Sequence, residues 1–238
     1  MPASVRTALV LNPSLSALPG DDLDALAALA RVRELAAGAL AGGEGRSQDK
    51  VWLVLRGCLR VSSVSDAGRE FVHEMLGPGS LYGLGNVLRG SVQQAHAHAA
   101  GPASVAAIDG AALLRLLAER PRLWLPLTAL LQRRLSDMLA LLDGQSAAPL
   151  HRRIARRLLA QLVTCGKVFS GESVVLRLNQ SDLAAMLGAS RSRVNAVLRE
   201  MEGKGLLRLR YRGIELPDRS ALEAAAQGAP PPILTRAA

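Results

Sequence analysis

Only two cysteines, Cys58 and Cys165, occur among the 238 residues. They lie far apart and form no CxxC pair, so the chain carries no disulfide framework and no iron–sulfur cluster held by cysteines alone. That thiol usage fits a reducing compartment. Aromatic residues make up 3% of the chain, which argues against single-strand nucleic-acid binding, where bases stack on aromatic rings. No apolar run approaches the roughly 18 residues a membrane span needs. The short apolar patch near the N-terminus follows a single Arg and is interrupted by Asn12 and Pro13, so no secretory signal is expected. There is no GxGxxG loop opening a helix, no nucleophile elbow and no pair of catalytic carboxylates. A cytoplasmic protein without a membrane partner and without an enzyme's signature is the expectation.

What is present is a globular composition, 49% hydrophobic and 21% charged, long enough for one large or two small domains. The net charge is +9, which attracts a polyanion. The position of that charge is more telling than its size. Residues 151–213 hold 13 Lys and Arg against 4 Asp and Glu, while the rest of the chain holds 16 of each sign. A merely solubilising surface would have spread the excess. One basic block attached to a neutral remainder is the footprint of a nucleic-acid-binding domain.

Along the chain, residues 1–20 show no period. Asp21 or Asp22 reads as the cap of a helix through Leu23, Leu26, Leu29 and Ala30 to about Leu35. From about 50 to 108, short apolar runs such as VWLVLRG, CLRVSSV and FVHEML alternate with Gly, Ser and Asp, a strand-and-turn texture. From Ala111 the pattern turns helical. Pro121 suits the first turn of a long helix reaching about Asp143. On it Leu127, Leu131, Leu135, Met138 and Leu142 form one apolar stripe. The stripe either packs on its own domain or, the preferred reading, forms a dimer seam. Asp143-Gly144-Gln145-Ser146 reads as a hinge, Pro149 to about Leu162 as a basic helix, and 163–175 as a short hairpin. The Ala- and Pro-rich segment from about 221, with Pro230, Pro231 and Pro232, is expected to be a flexible tail.

Between Asn179 and Gly203 the sequence NQSDLAAMLGASRSRVNAVLREMEG carries the strongest signal. Asn179 is a good N-cap, with Asp182 in the first turn. Leu183 and Leu187 share a face, Ala184 is small where a second helix crosses, and Gly188 suits a left-handed stop. Ser190 caps a second helix whose apolar face is Val194, Val197, Leu198 and Met201. This is a helix-turn-helix pattern. The outward residues Arg191, Ser192, Asn195 and Arg199, with Ser190, Arg193 and Lys204 beside them, are the candidate DNA contacts. Arg pairs bidentately with guanine and Asn with adenine. The following alternation of apolar and basic residues, Leu206 to Leu216 around Gly213, reads as a wing. Its Arg208, Arg210 and Arg212 are candidate phosphate contacts, or else guard a solvated edge hairpin.

The stretch LNQSDLAAMLGASRSRVNAVLREMEGKGLL resembles the DNA-binding motif of the cyclic-AMP receptor protein/fumarate–nitrate regulator family, and VWLVLRGCLRV with LGPGSLYGLGNVL is similar to its β-roll sensor. The resemblance covers roughly residues 15–220. It implies an α+β chain: a β-roll effector domain over 1–120, a cyclic-nucleotide-binding-like jelly roll; a dimerisation helix and hinge over 121–145; and a winged helix-turn-helix over 146–220, followed by the tail. It also implies a homodimer on palindromic double-stranded DNA, with RNA polymerase as a further partner. In the family, effector binding re-orients the DNA-binding domains. Two departures stand out. Arg191 matches the family's commonly retained Arg, but Ser192 stands where Glu is usual and Ala196 where a later Arg is usual, so a different half-site is expected. The effector positions, Tyr82, Gly83, Leu84, Gly85, Gln94 and Ala95, offer no charge to a cyclic phosphate, so cyclic AMP is not expected to bind by the family's usual route. The effector, if the protein uses one, is unnamed by the sequence. The rival reading is a cupin-like metal-binding β-barrel, an oxygenase with an accessory nucleic-acid-binding domain. It rests on Gly90, His96 and His98 in a G-x5-H-x-H spacing, with His73 as the third ligand it would need. A scaffold for acidic partners is a third class, one without sequence preference on DNA.

Overall fold

The structure, a computed structural model, describes residues 4–42, 49–66, 68, 70–90, 95–143, 148–164, 167–170, 173–211 and 213–227. Cys165, the hinge residues 144–147, Gln94, Arg212 and residues 228–238 lie outside them. The chain forms two compact units, Met1–Ser136 (with Thr164–Gly166) and Asp137–Val163 with Lys167–Ala238.

Two short helices open the first unit, α1 (Val5–Leu11) and α2 (Gly20–Ala28). The strands follow: β1 (Ala30–Leu35), β2 (Leu40–Gly42), β3 (Lys50–Arg56), β4 (Leu59–Val64), β5 (Glu70–Leu76) and β6 (Leu81–Tyr82). A short helix α3 (Leu84–Arg89) separates these from β7 (His96–Ala99) and β8 (Ala103–Asp109). They pair antiparallel into two four-stranded sheets, ordered β1-β8-β3-β6 and β2-β7-β4-β5. This is the expected β-roll. Its cores explain the texture of β3, KVWLVLR. Trp52 and Val54 point between the sheets with Val105, Leu59, Val61 and Ala97. Val51, Leu53 and Leu55 point the other way, against Ala8, Leu9, Leu23 and Leu26 and the helices that follow. A strand buried on both faces reads as a continuous apolar run instead of alternating.

The N-terminal expectation fails in two places. Residues 5–11 are helical, started by Ser4, whose Oγ accepts from the Thr7 amide at 3.1 Å. The helix expected to run to Leu35 stops at Ala28, and Ala30–Leu35 pairs along β8 from Ala30 opposite Ile108 to Leu35 opposite Ala103. The residues ARVREL favour a helix locally; the pairing with a strand some 75 positions later in the chain overrides that preference. Asp22 does not cap α2 but sits in its first turn, fully buried. Arg122 donates to it from Nε at 2.6 Å and Nη2 at 2.8 Å, and Arg120 from Nη1 at 2.8 Å. The Arg122 contact, with Arg120 behind it, holds this carboxyl below the usual aspartate range despite its burial.

Helix α4 (Gly110–Glu119) is capped by Asp109, and a 3-10 turn at Pro121–Leu123 leads into α5 (Trp124–Asp143). The apolar stripe of α5 divides. Leu127 is buried and Leu131 packs against the same core, whereas Leu135 and Met138 are exposed, with Leu139 beside them. The second unit contains α6 (Leu150–Thr164), β9 (Lys167–Ser170), β10 (Ser173–Leu176), α7 (Gln180–Leu187), α8 (Arg191–Gly203), β11 (Arg208–Arg210), β12 (Gly213–Leu216) and α9 (Arg219–Gln227). Its sheet has the order β11-β12-β10-β9. Helix α9 corrects the expected tail. Its Ala221, Leu222, Ala225 and Ala226 are buried, so small, helix-favouring alanines form a packed helix through Gln227.

Candidate nucleic-acid interface

The helix-turn-helix is built as its sequence suggests. The Asn179 side chain accepts from the Asp182 amide at 2.8 Å and starts α7. Gly188, at φ 59°, ends it in the left-handed conformation, a position where a side chain is strained. The Ala189 amide donates back to the Ala184 carbonyl at 3.1 Å. Two residues after the glycine, Ser190 Oγ accepts from the Arg193 amide at 3.3 Å and starts α8. Val194, Leu198 and Met201 are buried beneath α8, with Val197 at the margin.

With that face fixed inward, Arg191, Ser192, Arg193 and Arg199 stand exposed and Asn195 half-exposed. Arg191, Asn195 and Arg199 are spaced by four and lie along one side of the helix. Among the described residues none of the three α8 arginines forms an ion pair. Their guanidinium donors therefore face solvent, where phosphates and base edges can reach them. Ala196, at the position of the family's later Arg, is also exposed, so its missing cation leaves a gap in the outward face and not in the core.

The block of thirteen basic residues is less available than its count suggests. In α6, Arg157 is buried and Arg152, Arg153 and Arg156 are only partly exposed. Arg153 donates to the Leu187 carbonyl at the end of α7, and Arg156 Nε to the Ala226 carbonyl of α9 at 3.2 Å. These arginines hold the unit together by covering helix C-termini. Lys204 pairs with Glu200 at 2.6 Å. In the wing, Glu215 on β12 is almost fully buried and takes Arg210 at 2.6 Å and Arg208 at 3.4 Å, with Ser173 Oγ donating at 2.9 Å. The Arg210 and Ser173 contacts lower its pKa. The two wing arginines remain more than half exposed, so each keeps N–H groups for phosphate while Glu215 fixes its direction. Sequence reading passed over Glu215 in this role, although Arg-x-Arg facing a Glu across a two-residue turn is a legible cross-strand pattern. It also passed over Tyr211, 94% exposed at the wing tip, whose hydroxyl has the chemistry to donate to a phosphate.

Of the described effector candidates, Tyr82 and Ala95 come together at the inter-sheet core, whereas Leu84 does not join them. Tyr82 belongs to the inter-sheet core and donates its hydroxyl to the Ala95 carbonyl at 2.7 Å. Leu84 points to the other side of the sheet, into the core under the helices. Gly83, at φ 85°, brings its backbone so near β3 that a Cβ would stand 2.5 Å from the Lys50 carbonyl oxygen. Gly85 faces Leu131, with the methyl 3.9 Å from a built Cβ, and Ala95 is half-buried. The histidines separate similarly. His96 and His98 share a face of β7 with ring centroids 6.3 Å apart, but His73 bonds Ser63 Oγ at 2.8 Å and packs edge-on against Phe71. Among the described residues no group of three or more His, Cys, Asp or Glu is placed to hold a metal.

Residues 32–120 match the cyclic nucleotide-binding domain family, and residues 152–225 match the Crp-like helix-turn-helix domain family. An HTH-type transcriptional regulator, Cmr, of Mycobacterium tuberculosis is 32% identical over 210 residues, 87% of this chain and 81% of the relative. The chain belongs to the cyclic-AMP receptor protein/fumarate–nitrate regulator family. Its members here include a cyclic AMP receptor protein of Thermus thermophilus, 29% identical over 185 residues, 78% of this chain and 83% of that one. The fold likeness extends to FixK2 of Bradyrhizobium japonicum, with a TM-score of 0.73 at 20% identity, covering 84% of this chain and 99% of that one. The protein is thus a regulator of transcription of this family, a cyclic nucleotide-binding-type β-sheet domain followed by helices and a DNA-binding helix-turn-helix.

Proposed function

We propose that the protein is a cytoplasmic homodimer that reads a palindromic duplex, each α8 occupying one major groove, with half-sites about 34 Å apart along one face of the DNA. The observation that carries the reading is the first turn of α8. Ser190 caps it, Val194 and Leu198 anchor it, and Arg191, Ser192 and Asn195 face outward with no intramolecular ion pair among the described residues. Arg191 and Asn195 supply base readout; Arg193, Arg199, Lys204, Arg208 and Arg210 supply phosphate contacts, joined by Arg212. The dimer seam is the exposed apolar side of α5, Leu135, Met138 and Leu139, since a patch of this kind on a helix is covered by a like helix far more cheaply than by water. No helix among the described residues is long and apolar enough to cross a membrane, in keeping with that compartment. RNA polymerase is the further partner of such a regulator. Cyclic AMP, the ligand of the Thermus cyclic AMP receptor protein, is not the effector of this chain by the same route, because the side chains of Leu84 and Ala95 bring no cation to a phosphate.

The test is selection from a random duplex pool at about 150 mM salt, where loose electrostatic binding is screened. An enriched palindrome is the expected result. An unenriched pool bound with a steep salt dependence would leave the basic unit as a non-specific polyanion binder.

A further inference from the structure

A cyclic nucleotide-binding domain needs a space for its ligand, and between the sheets of this β-roll the described residues form a packed apolar core. Trp52 on β3 and Tyr82 on β6 are direct cross-strand partners, so their rings stand side by side on the inner face. Both are buried, Trp52 to 1% exposure, and both pack with Val54, Leu59, Val61 and Leu76. The edge strand β2 closes against them. A methyl group on Gly42 would stand 2.7 Å from Trp52 Nε1 and 3.3 Å from Tyr82 Cε1. The backbone at Gly42 is not in the left-handed region, so it is the indole, and not a turn, that requires glycine there.

The chemistry of the lining agrees with its geometry. A cyclic nucleotide brings a singly charged phosphodiester, which must meet a cation or several donors once it leaves water. The side chains of Leu84 and Ala95 offer neither. The polar group that the described residues leave in this core is the Trp52 indole N–H, buried and without an acceptor. The cation set against that ring, Arg33, lies over its face at 5.7 Å from an exposed position on the edge strand β1. It caps the indole from the rim and does not enter the core.

We infer that the β-roll is a filled scaffold in which Trp52 and Tyr82 occupy the room a cyclic nucleotide would need, so that DNA binding is independent of cyclic nucleotides. The second half of this statement rests on the proposed DNA reading; the first does not. The experiment uses the full-length chain in two arms. Calorimetric titration with cyclic AMP and with cyclic GMP, to about 1 mM, covers affinities down to the weak end of specific binding. Affinity for the selected duplex is measured with and without each nucleotide. The expected results are no saturable heat and a DNA affinity unchanged within about twofold, less than the fivefold at which allosteric coupling ordinarily begins. Saturable heat with either nucleotide, or a tenfold gain in DNA affinity on adding one, would overturn the inference. Should the chain select no duplex under any condition, the DNA reading fails, and the calorimetric arm still decides whether the β-roll is filled.

Discussion

Gly42→Ala measures how tightly the β-roll is packed. The added Cβ would lie 2.7 Å from Trp52 Nε1, 3.2 Å from its Cδ1 and 3.3 Å from Tyr82 Cε1. Comfortable non-bonded contacts begin near about 3.5 Å, so roughly 0.8 Å must be recovered by moving a ring or a strand. Trp52 is 1% exposed and has no free side toward which to swing. The strand β2 is a three-residue edge whose one ladder among the described residues is with β7, so it gives first, and its pairing weakens. Overpacking of this kind costs about 1–3 kcal/mol, and the lack of slack places this case in the upper half. For a unit of this size that is a fall of roughly 8–12 °C in melting temperature. Differential scanning calorimetry reads it, and Trp52→Phe in the same background is the control. The smaller ring removes the crowded nitrogen and its unsatisfied donor, so the double variant is expected to recover at least about 1 kcal/mol of coupling. A Gly42→Ala protein as stable as the parent would refute the reasoning, because it would show slack around Trp52 and Tyr82.

Arg191→Ala is expected to leave stability within about 0.5 kcal/mol, since the side chain is exposed, and to cost about 1–3 kcal/mol of discrimination at one base pair per half-site, read by competition against point-substituted duplexes; an equal loss on every sequence would make Arg191 a phosphate contact. Leu198→Ala empties a fully buried position beneath α8 and is expected to destabilise the second unit by about 2–5 kcal/mol, visible as an early melt of that unit. Leu135→Lys combined with Met138→Lys places charge on the exposed side of α5 and is expected to yield monomers in sedimentation equilibrium with the first unit's melting unchanged; dimers of parental affinity would put the seam elsewhere. The lowered pKa of Asp22 fixes the sign of an acid effect: its pairing with Arg122 and Arg120 contributes in full above the ordinary aspartate pKa of about 4 and is lost as pH falls through the depressed value. Asp22→Asn is therefore expected to be less stable at neutral pH and to lose part of the parent's decline below about pH 4, in urea titrations across that range.

The parts of the fold legible in the sequence were those set by local chemistry. Asn179, Gly188 and Ser190 mark their helix ends by side-chain geometry that needs no distant partner, and the alternation Leu206 to Leu216 carries its own turn. What escaped was decided by distant contacts. The residues ARVREL join a sheet because β8 lies alongside, and the alanines of α9 are buried because the rest of their own unit packs against them. The same reason limits the reading of the site. A count of basic residues cannot tell Arg153, spent on the Leu187 carbonyl, from Arg193, which faces solvent. The pairing of Arg208 and Arg210 with Glu215 depends on a strand register. Nor does a string of letters reveal that Gly42 and Trp52, ten positions apart, share one crowded volume.

The central claim is that two copies of the chain hold one duplex through two α8 helices. Hydroxyl-radical and methylation footprinting of the selected duplex tests it most directly. The account predicts two protected major-groove segments on one face, about 34 Å apart, with Arg191→Ala exposing one guanine in each segment and leaving the backbone protection in place. A single protected groove, or protection that spreads evenly along any duplex and vanishes with salt, would contradict it.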